Sequence, residues 1–351
     1  MPQPSRPMQI EAVRQRLRDH GAKPCHVQRV LQAWARSIPI TTRHRRVEDF
    51  LPLPVRKALP SLSADLDGLA RLRAEHHGAD GSARWLVELA DGQTVEGVLL
   101  PGAGLCVSTQ VGCAVGCVFC MTGRDGLKRQ LGSAEIVAQV ALARSRRAVT
   151  RVVFMGMGEP AHNLDNVLEA IDLLGTLGAI GHKDLVFSTV GDRRVFERLP
   201  LGRVKPALAI SLHSTKAGLR AQLLPRAPPI APQALVELGE AYARATGYPI
   251  QYQWTLLAGV NDGDDELAGI ARLLAGRYAM MNFIPYNPNE GFGFRRPSGH
   301  RAAVMAGYLQ QLGIVSRVRN SAGQDVDGGC GQLRARVLST CSGDADSSES
   351  V

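Results

Sequence analysis

No stretch of this chain is apolar for long enough to cross a bilayer as a helix, which excludes a helical membrane protein. The N-terminal "MPQPSRPMQIEAVRQRLRDHG" also lacks the apolar core of a secretory signal, so a cytoplasmic location with no membrane partner is expected. An even set of cysteines is missing too. There are 7, which cannot all pair. In a reducing compartment, clustered thiols point to metal binding or catalysis rather than to structural disulfides. Acidic side chains are outnumbered, 32 Asp and Glu against 41 Lys and Arg, for a net charge of +9. That balance favours an anionic partner such as nucleic acid, although a basic surface without a specific partner gives the same sum. No glycine-rich dinucleotide fingerprint follows the first strand, which weakens a Rossmann reading.

What is present is a helical start followed by alternating strands and helices. "IEAVRQRLRDHGAKPCHVQRVLQAWARS" reads helix, turn, helix, with Gly21 ending the first and Pro24 opening the second. Arg14, Arg16, Arg18, Lys23, Arg29, Arg36, Arg43, Arg45 and Arg46 make this region basic, either to touch phosphates or as solvated helix faces. "RWLVELADGQTVEGVLL" reads as a hairpin around Asp91-Gly92. Strands are then expected at 151–157, 184–190, 206–213, 250–257 and 280–286, separated by helical stretches, which implies a parallel sheet covered by helices. Polar or glycine-rich residues cluster just after these strands: "GMGEP", "STVG", "SLH" and "PYNP". In a βα barrel the C-terminal strand ends share one face, so such a succession points to a common site.

The densest chemistry lies in "CVSTQVGCAVGCVFCMTG". Cys113, Cys117 and Cys120 are spaced C-x3-C-x2-C, and Cys106 precedes them. Thiolates are soft ligands for iron or zinc. Closed structural zinc usually takes four Cys or His ligands, whereas three thiolates on a cubane leave one iron open. Zinc remains the alternative on spacing alone. Cys330, in "AGQDVDGGCGQL", sits in a glycine-rich polar stretch that reads as a mobile loop; a free cysteine is otherwise most often a small buried hydrophobe. Cys25 and Cys341 carry no expected role, and the acidic, Ser-rich end reads as disordered.

The three-cysteine loop, with Phe119 before its last ligand, resembles the radical S-adenosylmethionine (SAM) superfamily. "CVSTQVGC", "GMGEPAHN", "AISLHS", "GVNDG", "NFIPYNP" and "GGCGQL" together resemble the RlmN/Cfr family of radical SAM RNA methyltransferases, and "GAKPCHVQRVLQAW" resembles its helical accessory domain. The resemblance implies an α/β fold, a partial (βα) barrel of the radical SAM type with a small N-terminal helical accessory domain. The expected division is 1–70 basic helical RNA-binding domain, 71–105 β-hairpin linker closing the barrel, 106–336 core and 337–351 tail.

The resemblance also implies a [4Fe-4S] cluster on Cys113, Cys117 and Cys120, with SAM held by Gly158, Glu159, Ser188, Ser211, Leu212, His213 and Asn287. It implies methylation of carbon 2 or 8 of an adenine in 23S rRNA or tRNA. There one SAM methylates Cys330, and a deoxyadenosyl radical from a second SAM abstracts hydrogen from that methyl group. The methylene adds to adenine, and Cys106 then releases the RNA through a transient disulfide with Cys330. Glu96 matches the family's proton-removing glutamate; read on its own it is a glutamate on a solvated strand face. Arg124, Lys128 and Arg129 are candidates for RNA phosphate contact, with a solvated turn as the alternative. An electron-donating, flavodoxin-like reductase is the expected protein partner of a monomer. Met121 and Gly328-Gly329 depart from the family's usual residues and leave the adenine carbon and the RNA open. Rival readings are another radical SAM activity with a structural Cys330, and a zinc-dependent RNA-binding module.

Overall fold

The computed structural model describes residues 7–40 and 50–335. Arg43, Arg45, Arg46, Cys341 and the tail 337–351 lie outside them.

Helix Ile10–Asp19 buries Ile10, Val13 and Leu17, one face at helical spacing. Gly21 follows with φ +80°, a left-handed turn that favours glycine, and Pro24 opens helix Pro24–Arg36. Helix Leu53–Gly68 leads into the sheet. The layer is tied to helix Ser133–Arg144, where Ile10 N–H donates to Ser133 Oγ at 2.8 Å. Several of its cations are paired. Arg14 pairs with Glu11 and Glu169, Arg16 with Asp65 and Arg18 with Glu11, while Arg36 donates to the Leu177 carbonyl. Arg29 lies over the Phe50 ring.

The strands are β1 (Ala70–His77), β2 (Ala83–Leu89), β3 (Thr94–Leu100), β4 (Gly104–Cys106), β5 (Gln110–Gly112), β6 (Leu127–Gln130), β7 (Arg151–Phe154), β8 (Leu185–Thr189), β9 (Ala207–Ser211), β10 (Ile250–Leu256), β11 (Ala279–Pro285) and β12 (Val315–Val318). Ten of them form one sheet in the order β1-β2-β3-β4-β7-β8-β9-β10-β11-β12. The first four are antiparallel, and β4 onward are parallel. β5 and β6 pair separately and frame the cysteine loop. Strand β7 stops at Phe154, earlier than expected, because the chain peels off to pack Gly156 against Val107 and to bond Met157 N–H to Ser108 Oγ.

The edges of the sheet are bridged by loops. Ala79 N–H, in the β1–β2 turn, donates to Asp325 at 2.8 Å, and Gly323 N–H returns a bond to Asp80 at 3.0 Å. The segment after β12, which carries Cys330, thus reaches the opposite edge. No described helix is long and apolar enough to cross a membrane.

Candidate active site

Side chains alternate along a strand, so residues two apart share a face. Met155, Ser188, Ser211, Gln253, Thr255, Ile284 and Tyr286 all come from one face at the C-terminal strand ends, and they line a cavity of about 160 Å³. Cys113, Cys117, Cys120, Gly158, Glu159 and His213 line it as well.

The loop after β7 is shaped by steric necessity. Gly158 has φ +106°, and a Cβ there would come within 2.6–2.7 Å of the Gln110 side chain. Gln110 Oε1 accepts the next amide, Glu159 N–H, at 2.7 Å. Glu159 is buried, and its carboxylate accepts from Ala161 N–H and Val190 N–H at 3.1 and 2.9 Å. Burial pushes its pKa up to about 7 despite these donors. His213 adopts φ +58°, rare for a residue with a Cβ. Its Nδ1 accepts Thr255 N–H at 2.9 Å, leaving the proton on Nε2 as a donor. Burial, helped by the Arg220 cation, lowers its pKa to about 3, so the ring is neutral.

The cysteine loop is tightly folded. Gly116 has φ +64°, and a Cβ on Gly123 would lie 2.7 Å from the Gly116 Cα. Val115 and Gly116 amides face the Cys113 sulfur, and Thr122 and Gly123 donors face Cys120. Burial pushes Cys113 up to about 12 and Cys117 well above its ordinary value; each nearby thiol adds to the effect. Among the described residues no three His, Cys, Asp or Glu side chains converge as ligands of a single ion. Arg220 supplies the complementary charge. It is buried, donates to the carbonyls of Val190 and Ser211, and keeps an unpartnered buried Nε. Three soft sulfurs that are mutually close without converging, amide donors on the sulfurs and an uncompensated buried cation suit an anionic multi-iron group.

A second cavity, of about 630 Å³, shares a wall with the first: Cys120, Thr122, Met155, Gly156, Cys330 and Gly331 line both. Cys106 lines only the larger one. Cys330 is exposed and Cys106 buried, and both are free thiols. Burial raises Cys106 to about 12, the neighbouring Cys330 adds to this, and Arg319 opposes it. The Cys330 segment is a loop without strand pairing, yet it is held at several points. Met121 N–H donates to the Gly331 carbonyl at 2.8 Å, and Thr122 Oγ1 to the Leu333 carbonyl at 2.7 Å.

The sequence-derived residues divide in three. Gly158, Glu159, Ser188, Ser211 and His213 meet the three cysteines at one cavity. Leu212 is fully buried and lies off that wall. Asn287 is also off it, donating instead to the Cys330 carbonyl at 3.0 Å and to Ser321 Oγ. Glu96 is not on a solvated face. It is fully buried, paired with Arg84, and accepts Arg334 N–H at 2.7 Å. It shares the inward row of Val98 and Leu100 but lies under the segment that follows Cys330. Arg129 is neither solvated nor free for phosphate: it bonds both oxygens of Glu135 and pairs with Asp91. Arg124 stacks near Phe292, and Lys128 is exposed. Sequence reasoning missed Arg220, Gln253, Thr255 and Asn289. Gln253 and Thr255 lie toward the end of β10, where inward parity would have found them, whereas Arg220 sits on the helix Ala217–Leu223.

Residues 107–271 match the radical SAM superfamily. The chain is 72% identical, over 95% of its length and 94% of the other protein, to a "Probable RNA methyltransferase" of Aromatoleum aromaticum. It is 67% identical to one of Pseudomonas aeruginosa, covering 94% of this chain and 96% of that protein. A crystal structure of a radical SAM methyltransferase from Sphaerobacter thermophilus superposes with a TM-score of 0.80 at 33% identity, covering 94% of this chain and 98% of that one. The chain therefore belongs to the radical SAM superfamily, as a SAM-dependent methyltransferase in the family of these probable RNA methyltransferases.

Proposed function

We propose that this protein methylates a ring carbon of adenine, carbon 2 or carbon 8, in 23S rRNA or tRNA, as an enzyme of the RlmN/Cfr type in the cytoplasm. The observation that carries this reading is the place of Cys330. It stands on the wall between two cavities, beside Cys120 on one side and Cys106 on the other. A thiol that takes a methyl group in one compartment and delivers it in the next needs that position.

Cys113, Cys117 and Cys120 would hold a [4Fe-4S] cluster, which with SAM supplies one-electron cleavage of the sulfonium. Glu159 offers a carboxylate for the SAM ammonium, His213 a neutral N–H donor, and Ser188 and Ser211 hydroxyls for the ribose. Asn287 is better read as a positioning residue that holds the Cys330 carbonyl. Cys330 carries a methyl group taken from SAM; after one of its hydrogen atoms is abstracted, the methylene radical adds to the adenine ring carbon, which then gives up its proton to a base and one electron to the redox chemistry the cluster would supply. The Cys106 thiolate then attacks the Cys330 sulfur. The carbon–sulfur bond breaks with its electron pair going to carbon, which takes up a proton to complete the methyl group, a disulfide forms, and a dithiol reductant restores both thiols. Burial keeps Cys106 protonated until this step, and Arg319 is the cation that favours its thiolate. Glu96 is the candidate base for the ring proton. It reaches the larger cavity only if the segment after Cys330 shifts and releases it from Arg334 N–H. A flavodoxin-like reductase supplies the electron, and the enzyme acts as a monomer.

Nucleoside mass spectrometry of rRNA and tRNA from cells with and without the gene tests the proposal. A methyladenosine lost with the gene and restored by wild type, but not by Cys330→Ala, is the expected result. Unchanged methyladenosines in every RNA would overturn it.

A further inference from the structure

The two cavities open toward different ends of the barrel. The smaller is lined by C-terminal strand ends. The larger runs down the inside of the strands: from Met155 through Val153 to Arg151 on β7, from Cys106 to Gly104 on β4, and to Asp184 just before β8. Its far mouth therefore lies at the N-terminal strand ends. Its volume suits a nucleoside-sized ligand, within the roughly 300–1,000 Å³ of small-molecule pockets.

That mouth is ringed by cations. The pairs Gly104↔Arg151, Val152↔Leu185 and Val186↔Ala207 set the register. Carried back past the first paired residues, that register sets Asp184, one residue before β8, level with Arg151 on β7, and Lys205, two residues before β9, next to Asp184. Lys183 adjoins Asp184, and Lys205 N–H bonds His182 Nδ1, which joins them into one rim. Arg151 and Lys183 are exposed and Lys205 half-buried. Among the described residues none of the three has a carboxylate partner, whereas Arg14, Arg16 and Arg18 of the helical layer all do. The cavity itself is lined by Asp80 and Asp184 and also by Arg151 at this mouth and Arg319 near Cys106. Cations without a carboxylate partner around the mouth suit a chain whose phosphates stay on the rim while one base enters.

We propose that the N-terminal strand ends, marked by Arg151, Lys183 and Lys205, are the surface that grips RNA phosphates while one unpaired nucleotide passes inward toward Cys330. The inference rests on the RNA reading above and locates the RNA at the end of the barrel opposite the SAM cavity. Phosphate contacts are insensitive to sequence, so an arbitrary RNA reports on them.

The test uses cluster-loaded enzyme and a fluorescein-labelled RNA stem–loop, titrated over a range of salt. The triple variant Arg151→Gln/Lys183→Gln/Lys205→Gln should bind roughly tenfold or more weakly, and its slope of log affinity against log salt should shrink by about 2–3. Iron content and RNA-free reductive cleavage of SAM should stay at wild-type values. If the triple variant loses iron, the single variants should each reduce the slope by about 1. Wild-type affinity and slope in an iron-loaded triple variant would overturn the rim. A wild type without salt-dependent RNA binding would instead remove the RNA reading, and the rim with it.

Discussion

The two ends of the barrel solve opposite electrostatic problems. At the C-terminal strand ends the cavity is small and its ionisable groups are buried, which favours their uncharged forms: Glu159 is raised to about 7, His213 is lowered to about 3 and Cys113 is raised to about 12. Such a site is poised to gain charge from what it binds. At the N-terminal ends Arg151 and Lys183 are exposed. A third region, the helical layer, is also basic in sequence, but its Arg14, Arg16 and Arg18 face Glu11, Asp65 and Glu169. Net charge in a sequence is therefore a poor guide to charge available for binding; pairing decides.

The sharpest way to break the contrast is at the buried end. Cys117→Ala removes one of three sulfurs, and we expect loss of bound iron and of SAM cleavage to below detection. An iron-replete variant that still cleaves SAM would exclude Cys117 as a ligand. Next comes the link between the cavities. Asn289 Nδ2 donates to the Phe119 carbonyl of the cysteine loop at 3.2 Å and to the Gly331 carbonyl at 3.1 Å. Asn289→Asp keeps the shape and loses both donors, at about 1 kcal/mol each. Methylated RNA per deoxyadenosine released should fall roughly tenfold with SAM cleavage retained, and an unchanged ratio would deny Asn289 a positioning role.

A smaller effect concerns pH. The Glu159 carboxylate, not the acid, attracts an ammonium, so SAM affinity should weaken as pH falls through about 7, by up to roughly tenfold per unit below it. Glu159→Gln should bind weakly with a flat profile, and a sloping profile in that variant would assign the titration elsewhere. The smallest effect sharpens the comparison of the two basic regions. Arg16→Gln should leave RNA affinity within about twofold of wild type, because that charge already faces Asp65. A loss as large as that expected for the rim would move the interface to the helices.

Much of the architecture was legible because its signals are local. Gly21 and Pro24 delimit helices through backbone geometry, Asp91-Gly92 turns a hairpin, and the strands from β7 to β11 are short apolar runs with polar ends. Helix Ser133–Arg144 was not legible. It is buried on nearly every side between the helical layer and the sheet, so it shows no single apolar face. β12 was missed because it is a short edge strand with three of its four residues exposed. Arg129 has the residue type expected of a phosphate contact but is held by Glu135 and Asp91, and Asn287 donates to the Cys330 carbonyl.

By itself the sequence determined the donor set: three thiols in one short loop, a glutamate after a glycine-bearing strand end and two further cysteines. These follow from spacing and residue chemistry, which need no neighbours. Only the tertiary structure decided that Cys330 divides two cavities, that Glu96 lies buried against Arg84, and which cations remain unpaired. Those facts depend on contacts between residues more than 200 positions apart in the case of Cys330, and on burial, which sets the charge each group keeps.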